Sequence, residues 1–396
     1  MLPVLRFPGI PPAHSWSWSS PGSLPAVGLA SGVLRGCTRL IGAGFPWLEW
    51  RLWTGRQGAP SGAGVCGKLP VMTTAYDLLQ ALSDGRFRSG QVLGEMLGIS
   101  RAAVWKHVNA WREKGLDIDS VPGRGYRLAE PLELLDEALL RRLLVDEFGR
   151  KPDVLEVHWR LDSTNTHLRC HPLAGAGKAL ACLAEEQTAG RGRRGRRWVS
   201  PPARNLCLSL AWTFEEGMQG LDVLSLAAGV ALMRALRDSG VREAGLKWPN
   251  DVLARDRKLA GILVELSGEA GGPCRAVIGI GVNIRLEGGE AGRIDQPWID
   301  LARLCPEPPS RNRLAARILG QLMAVLDALE KGERGAFMDE WRRYDVVSGR
   351  QVRVHLRHET LTGEALGIDE DGAFLVQTGR GCRRLVSGEV SLRMTT

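Results

Sequence analysis

The apolar positions of the chain change period several times, and each change marks a boundary. Residues 1–71 are rich in Pro, Gly, Ser and Trp and hold no sustained period. They read as a disordered extension or a translation start placed too far upstream, with Met72 the natural start. From Thr73 a helical spacing begins with Tyr76, Leu78, Leu79 and Leu82 and breaks at Asp84-Gly85. Ser89 is placed to cap a second helix, Gly98-Ile99 to turn the chain, and Ser100 to cap a third. In that third helix Val104, Val108 and Trp111 share one face, which turns Arg101, Ala102, Trp105, Lys106 and Asn109 outward. Residues 118–128, centred on Gly123-Arg124-Gly125, read as a hairpin with a basic tip. Residues 72–130 therefore predict a winged helix-turn-helix whose third helix enters the major groove while Arg124 reaches phosphates. A helical domain that only packs on its neighbour is the plainer alternative.

Further along, Leu139, Leu140, Leu143 and Leu144 predict a helix inside a connecting segment, 131–153. Residues 154–344 mix a long apolar helix over 224–236, short strands around Lys247, Ile262 and Val277, and a helix over 310–329. Strand and helix runs segregate there, which predicts an α+β core, a mixed sheet with helices on one side. In 345–396 short strands at 352–354, 362–368, 373–376 and 385–392 predict a small SH3-like barrel. The fold class is α+β, multidomain.

Composition narrows the class. A chain of 396 residues with 44% hydrophobic content can bury a substantial core over two or three domains. Of the net charge of +8, residues 1–71 supply +5 and the remainder only +3, so global basicity is poor evidence for a nucleic-acid partner. Cysteines 37, 66, 170, 182, 207, 274, 305 and 382 are scattered, with no CxxC pair and no His cluster at ligand spacing. That pattern argues against a structural metal and for a reducing cytoplasm. No apolar stretch reaches the roughly 18 to 20 residues of a membrane span, and no clean signal sequence precedes the first pattern.

The chemistry concentrates in three short segments. Gly190-Arg191-Gly192-Arg193-Arg194-Gly195-Arg196-Arg197-Trp198 lies between two strand-like apolar runs. Glycine admits close backbone approach, arginine forks suit phosphate or carboxylate, and a tryptophan can stack on a base. An RNA-binding arginine-glycine tail is the alternative for this run taken alone. Downstream come Lys247-Trp248-Pro249-Asn250-Asp251 and the run from Lys258 to Glu265. Together the three read as a nucleotide-handling site.

With Asp162-Ser163-Thr164-Asn165, Gln187 and Gly279-Ile280-Gly281-Val282-Asn283, these segments stand in the order expected of a biotin protein ligase. The resemblance runs from about Thr73 to the C-terminus and is closest to the bifunctional bacterial type, ligase and biotin-operon repressor in one chain. It implies biotin and ATP with magnesium as substrates, biotinyl-5'-AMP as intermediate, and a carboxylase carrier-domain lysine as acceptor. It implies catalytic roles for Lys258, Arg193, Lys247 and Asp251, with magnesium near Asp251. Ser163, Thr164, Asn165, Gln187, Gly190, Arg191, Lys258, Gly261 and Gly279 would hold biotin. Arg191, Arg193, Arg194, Arg196, Trp198, Lys247, Asn250 and Asn283 would hold ATP or the adenylate, Trp198 by covering the adenine. Ser100, Arg101, Ala102, Trp105, Lys106, Asn109 and Arg124 would face operator DNA, bound by a homodimer formed when the adenylate is present. Ala203-Arg204 stands where the family often has glycine or small residues, and Cys207 replaces a common aromatic.

Three other readings stay open at this level. A ligase could have lost its regulatory DNA binding, a regulator could keep the ligase core only as a sensor, and a lipoate or octanoate transferase shares the core fold. The intact Lys258 and Arg193 weigh against the sensor, and the arginine-glycine run weighs against the lipoate enzyme.

Overall fold

The computed structural model describes residues 74–171, 179–215, 217, 223–268, 272–286, 292, 294–356, 359–386 and 391–394. The expectations for residues 1–71 lie outside them.

Three helices and a hairpin open the described chain: α1 (Thr74–Leu82), α2 (Gly90–Leu97), α3 (Arg101–Glu113), β1 (Ile118–Val121) and β2 (Gly125–Leu128). Both predicted caps form, Ser89 Oγ accepting from Val92 N at 3.1 Å and Ser100 Oγ from Ala103 N at 3.2 Å. Each satisfies one of the amides that a helix start leaves unpaired. Leu78, Leu79, Leu82, Leu93, Val104, Val108 and Trp111 form a separate small core. Arg101, Ala102, Trp105 and Lys106 face solvent, while Asn109 is half-buried and accepts from Arg112 at 3.3 Å. The hairpin pairs Ile118 with Leu128 and is tied back by a two-way backbone bond between Arg88 and Tyr126. Arg124 and Arg127 stack on the Phe87 ring, 4.1 and 4.7 Å from its centroid, which aims the wing.

Helix α4 (Glu137–Phe148), capped by Asp136, buries Leu140 and Leu144 in the main core. That core surrounds β3 (Val154–Leu161), α5 (Thr164–Cys170), β4 (Leu180–Gln187), β5 (Asn205–Phe214), α6 (Leu224–Asp238), β6 (Ala244–Lys247) and β7 (Asp251–Ala254). It continues through β8 (Arg257–Gly268), β9 (Cys274–Asn283), α7 (Leu301–Leu304), α8 (Arg311–Glu330) and α9 (Gly335–Tyr344). Among the described residues seven strands join in the order β3-β4-β5-β9-β8-β7-β6, β3 and β4 parallel and the other neighbours antiparallel.

Two details differ from the sequence reading. The strands around Ile262 and Val277 run for 12 and 10 residues, because Gly261, Gly279 and Gly281 interrupt the apolar pattern without interrupting the ladder. Helices lie on both faces: α6 and α8 cover one, and the short α5 covers part of the other, where Leu168 meets Leu180, Cys182, Ala211 and Val277. Strand β4 is consequently buried along its whole length, as a strand covered on both faces must be.

The C-terminal strands β10 (Gln351–His355), β11 (Thr360–Ile368), β12 (Phe374–Thr378), β13 (Gly381–Leu385) and β14 (Ser391–Met394) form an antiparallel sheet, ordered β13-β12-β11-β10-β14. The single strand expected over 385–392 is two strands on opposite edges. Only Leu385 of β13 is buried, so an apolar period has nothing to mark there. Val352, Val354, Phe374 and Val376 share the main core. No helix among the described residues is long and apolar enough to cross a membrane.

Candidate functional site

A cavity of about 400 Å³ opens where the arginine loop, the end of β4, the β6–β7 turn, β8 and β9 converge. Every site residue named from the core sequence lines it except Gly190. Gly190 instead pairs its carbonyl with Trp198 N at 2.9 Å, and a β-carbon there would meet Trp198 O, so its close approach closes the base of the loop.

One end is neutral and hydrogen-bonded. Strand β3 runs into α5, which brings Ser163, Thr164 and Asn165 to the cavity wall beside Gln187. Gln187 Oε1 accepts from Thr164 N at 2.8 Å, and the Ser209 hydroxyl lies 2.7 Å from Thr164 Oγ1 and 2.6 Å from Asn165 Oδ1. Asn165 Nδ2 donates to Glu265 Oε2 at 2.8 Å. Ser163 sits at the N-cap of α5 but makes no side-chain cap bond. The Asn165 amide fills the space that a β-carbon at residue 279 would need, so this position requires glycine. Leu208, Ile262, Leu263 and Ile280 supply apolar wall.

The other end is cationic. Lys258 Nζ lies 2.6 Å from Asp251 Oδ1, with Lys247 Nζ 4.0 Å from the same carboxylate. Asn250 Nδ2 donates to Ile262 O at 2.8 Å, and its Oδ1 accepts from Arg193 at 3.2 Å. Burial, and then the neighbouring Arg194 charge, push the Arg193 guanidinium below its ordinary pKa. Arg191 reaches Glu265 Oε2 at 3.0 Å, while Arg194 and Arg196 are exposed on the loop. The Trp198 indole lies across Gly281, where a side chain would collide with it, and beside Gly261, where a β-carbon would crowd Lys258 and the indole edge. Asn283 Nδ2 donates to the carbonyls of Lys258 at 3.2 Å and Ile299 at 3.1 Å, fastening β8 to the next segment. Such a cavity suits a ligand with a neutral polar head and an anionic end.

Several lining or supporting residues were not singled out from sequence. Ser209 is fully buried in β5, the one hydroxyl in the apolar run from Leu206 to Trp212, and that contrast is its signal. Glu265 gathers Asn165, Arg169 and Arg191. Asp295, Gln296 and Trp298 lie in a segment without apolar period that pairs with the Lys258 backbone. Trp248, within a quoted motif, stacks on Phe374 at 5.2 Å and donates to Gly372 O, joining the site floor to the C-terminal sheet. Ala203 holds a left-handed φ of 55°, the conformation that glycine would relieve. The expected absence of a His cluster fails in space: Glu156, His158, His167 and Cys182 place ligand atoms within 4.8 Å of one another.

The profile of the biotin/lipoate A/B protein ligase family matches residues 157–283, a biotin protein ligase C-terminal domain matches 347–393, and an HTH domain matches 74–127. The bifunctional ligase/repressor BirA of Salmonella typhimurium is 40% identical over 321 residues, covering 81% of this chain and 98% of that protein. The chain belongs to the biotin protein ligase family. The biotin--[acetyl-CoA-carboxylase] ligase of Mycobacterium tuberculosis is 34% identical over 67% of this chain and 97% of its own length. The biotin protein ligase of Aquifex aeolicus, solved with biotin and ATP, aligns with a TM-score of 0.54 at 27% identity, over 61% of this chain and all of that one. The ligase match therefore covers the cavity-lining residues from Ser163 to Asn283, and the HTH match runs from α1 into β2.

Proposed function

We propose that the protein is an ATP-dependent biotin protein ligase that also represses biotin genes through its winged helix. The observation that carries the ligase reading is the two-ended cavity, neutral at Thr164, Asn165, Gln187 and Ser209 and cationic at Lys258, Lys247 and Arg193. A ureido ring matches the neutral end, because each of its polar atoms needs a partner inside an apolar wall. The biotin carboxylate then points at Lys258. There it attacks the α-phosphorus of ATP, the bond to pyrophosphate breaks, and biotinyl-5'-AMP forms.

Two anions must meet in that step, and fixed cations reduce its cost. Lys258 bridges carboxylate and phosphate, Arg193 and its loop neighbours Arg191, Arg194 and Arg196 close over the adenylate, and Lys247 takes the departing phosphates. Asp251, held between two lysines, is a poor free ligand for a metal. Magnesium bound with ATP would help neutralise the phosphate charge beside Lys247. In the second step a lysine amine of a carboxylase carrier domain, oriented by Asp251, attacks the acyl carbon and AMP leaves. This reading implies the bacterial cytoplasm, the compartment that would supply ATP and the carrier.

The test is incubation of the purified protein with ATP, magnesium and either biotin or lipoate, following pyrophosphate release and transfer to a carrier domain. Biotin-specific turnover is expected. Lipoate turnover would make it a lipoate enzyme, and tight biotin binding without turnover would make it a sensor. Ser209→Ala is expected to weaken biotin about tenfold, since leaving a buried polar group without its partner costs roughly 1–3 kcal/mol. An unchanged Kd by titration calorimetry would remove Ser209 from the biotin end.

For DNA, Arg101, Ala102, Trp105 and Lys106 form the exposed face of α3, with Ser100 at its cap, Asn109 at its edge and Arg124 on the wing. Lys114, which ends α3, bonds Glu186 at 2.8 Å, one residue from Gln187 at the biotin end, so ligand and operator can be linked through β4. The adenylate-bound form pairs as a homodimer on a two-part operator, because a ligand favouring the dimer favours two-site binding. Arg124→Ala is expected to weaken operator binding uniformly across sequences and to reduce the salt slope by about one. An unchanged slope in a binding titration over salt would remove the wing from the DNA contact.

A further inference from the structure

We infer that Glu156, His158, His167 and Cys182 form a transition-metal site, matched to Zn²⁺, on the face of the sheet that α5 covers. Glu156 and His158 stand two apart on β3 and so share a face, and the parallel register sets Cys182 of β4 directly beside Glu156. Helix α5 then lays His167 over both strands. Glu156 Oε2 lies 2.6 Å from His167 Nε2 and 3.1 Å from His158 Nε2, and all four ligand atoms fall within 4.8 Å. His171, one helical turn after His167, lies 3.8 Å from the same carboxylate.

Two imidazoles, a thiol and a carboxylate are a borderline-soft set that selects Zn²⁺, Co²⁺ or Ni²⁺ over Mg²⁺ or Ca²⁺. Tetrahedral zinc with its usual bond lengths needs ligand-to-ligand edges of roughly 3.3–3.6 Å, so the widest pairs must close by about 1 Å and the Glu156–His167 contact must open by about 0.7 Å, both within reach of side-chain rotation. The site is partly enclosed: Cys182 is fully buried, while the side chains of His158, His167 and Glu156 are 15%, 27% and 30% exposed. Arg275 already fastens the far end of α5 by donating to the carbonyls of Leu168 and His171. A bound ion would fix the helix to β3 and β4 between that anchor and Thr164 and Asn165, whose positions define the neutral end of the cavity.

The experiment uses the full chain freed of metal with a chelator and titrated with Co²⁺ and then Zn²⁺. We expect one Co²⁺ per chain with thiolate-to-cobalt charge transfer, its displacement by one Zn²⁺, and a rise in thermal stability. Cys182→Ser should remove the charge-transfer band while retaining cobalt. His167→Gln, at a partly exposed position, should lower affinity by at least about 10- to 100-fold, the loss that outer-shell changes alone produce, with an unchanged far-UV spectrum showing that the variant is folded. No stoichiometric binding by the wild type, or binding untouched by both variants, overturns the site. These readouts do not depend on the ligase reading. A loss of biotin affinity on metal removal would depend on it, and is read separately by calorimetry.

Discussion

Replacing Lys258 with alanine should slow biotinyl-adenylate formation by about 10²- to 10³-fold, the usual consequence of removing one preorganised charge from a developing anion. The geometry behind this expectation is narrow. Lys258 is held by Asp251 at 2.6 Å and passes beside the Trp198 ring at the cavity floor, and its backbone is pinned by Pro297 O, Ile299 N and Asn283. The ammonium is thus positioned before any ligand arrives, and its attraction for carboxylate and phosphate grows as their charges approach in the transition state. Loss should fall on the rate of the first step, measured as pyrophosphate release in a single turnover. Biotin affinity should change only a few-fold, since Thr164, Asn165, Gln187 and Ser209 lie at the other end. A rate within tenfold of wild type would show that Arg193 or Lys247 carries the step.

Arg311→Ala should be the most damaging single change to stability, by about 3–5 kcal/mol. Arg311 donates to Glu185 Oε2 at 2.7 Å, to Asn205 O at 2.8 Å and to Glu133 O at 2.6 Å, so one guanidinium joins α8, β4, β5 and the chain before α4. The Arg311 and Glu185 side chains are 5% and 1% exposed. Glu185 also accepts from Leu135 N at 2.5 Å. Removing the arginine would leave a buried carboxylate without its counter-charge and two carbonyls short of a donor. The melting temperature should fall on the order of 10 °C. The double change Arg311→Ala with Glu185→Gln should recover part of that loss by removing the stranded charge. A fall of only a degree or two would mean that solvent enters and screens the pair.

Much of the molecule was legible along the chain because its signals are local. The caps at Ser89 and Ser100 are set by residues three positions away, and the stripe of Val104, Val108 and Trp111 follows from helical period alone. The charged set also declared itself, since clustered arginines and glycines between apolar strands have few uses besides an anion. Hence the winged helix, the mixed sheet and the residues gathered at the cationic end were all readable before any coordinates.

Tertiary structure decided what depends on register between distant strands. Ser209 meets Asn165 across 44 positions, Asn165 meets Glu265 across 100, and Arg311 meets Glu185 across 126. No spacing rule reaches that far, because such pairs are fixed by strand order and by which face each side chain takes. The same limit explains the metal-ligating cluster, which has no ligand spacing in sequence and becomes a cluster only when β3 pairs with β4 and α5 folds across them. It also explains Gly190, whose glycine reflects contact with Trp198 at the loop base, and the C-terminal edges, where β13 buries one residue and shows no period. Sequence alone determined most of the elements and the charged chemistry of the arginine loop; the three-dimensional fold decided which side chains share a face, because side-chain direction is periodic along one strand but partnership between strands is set by hydrogen-bond register.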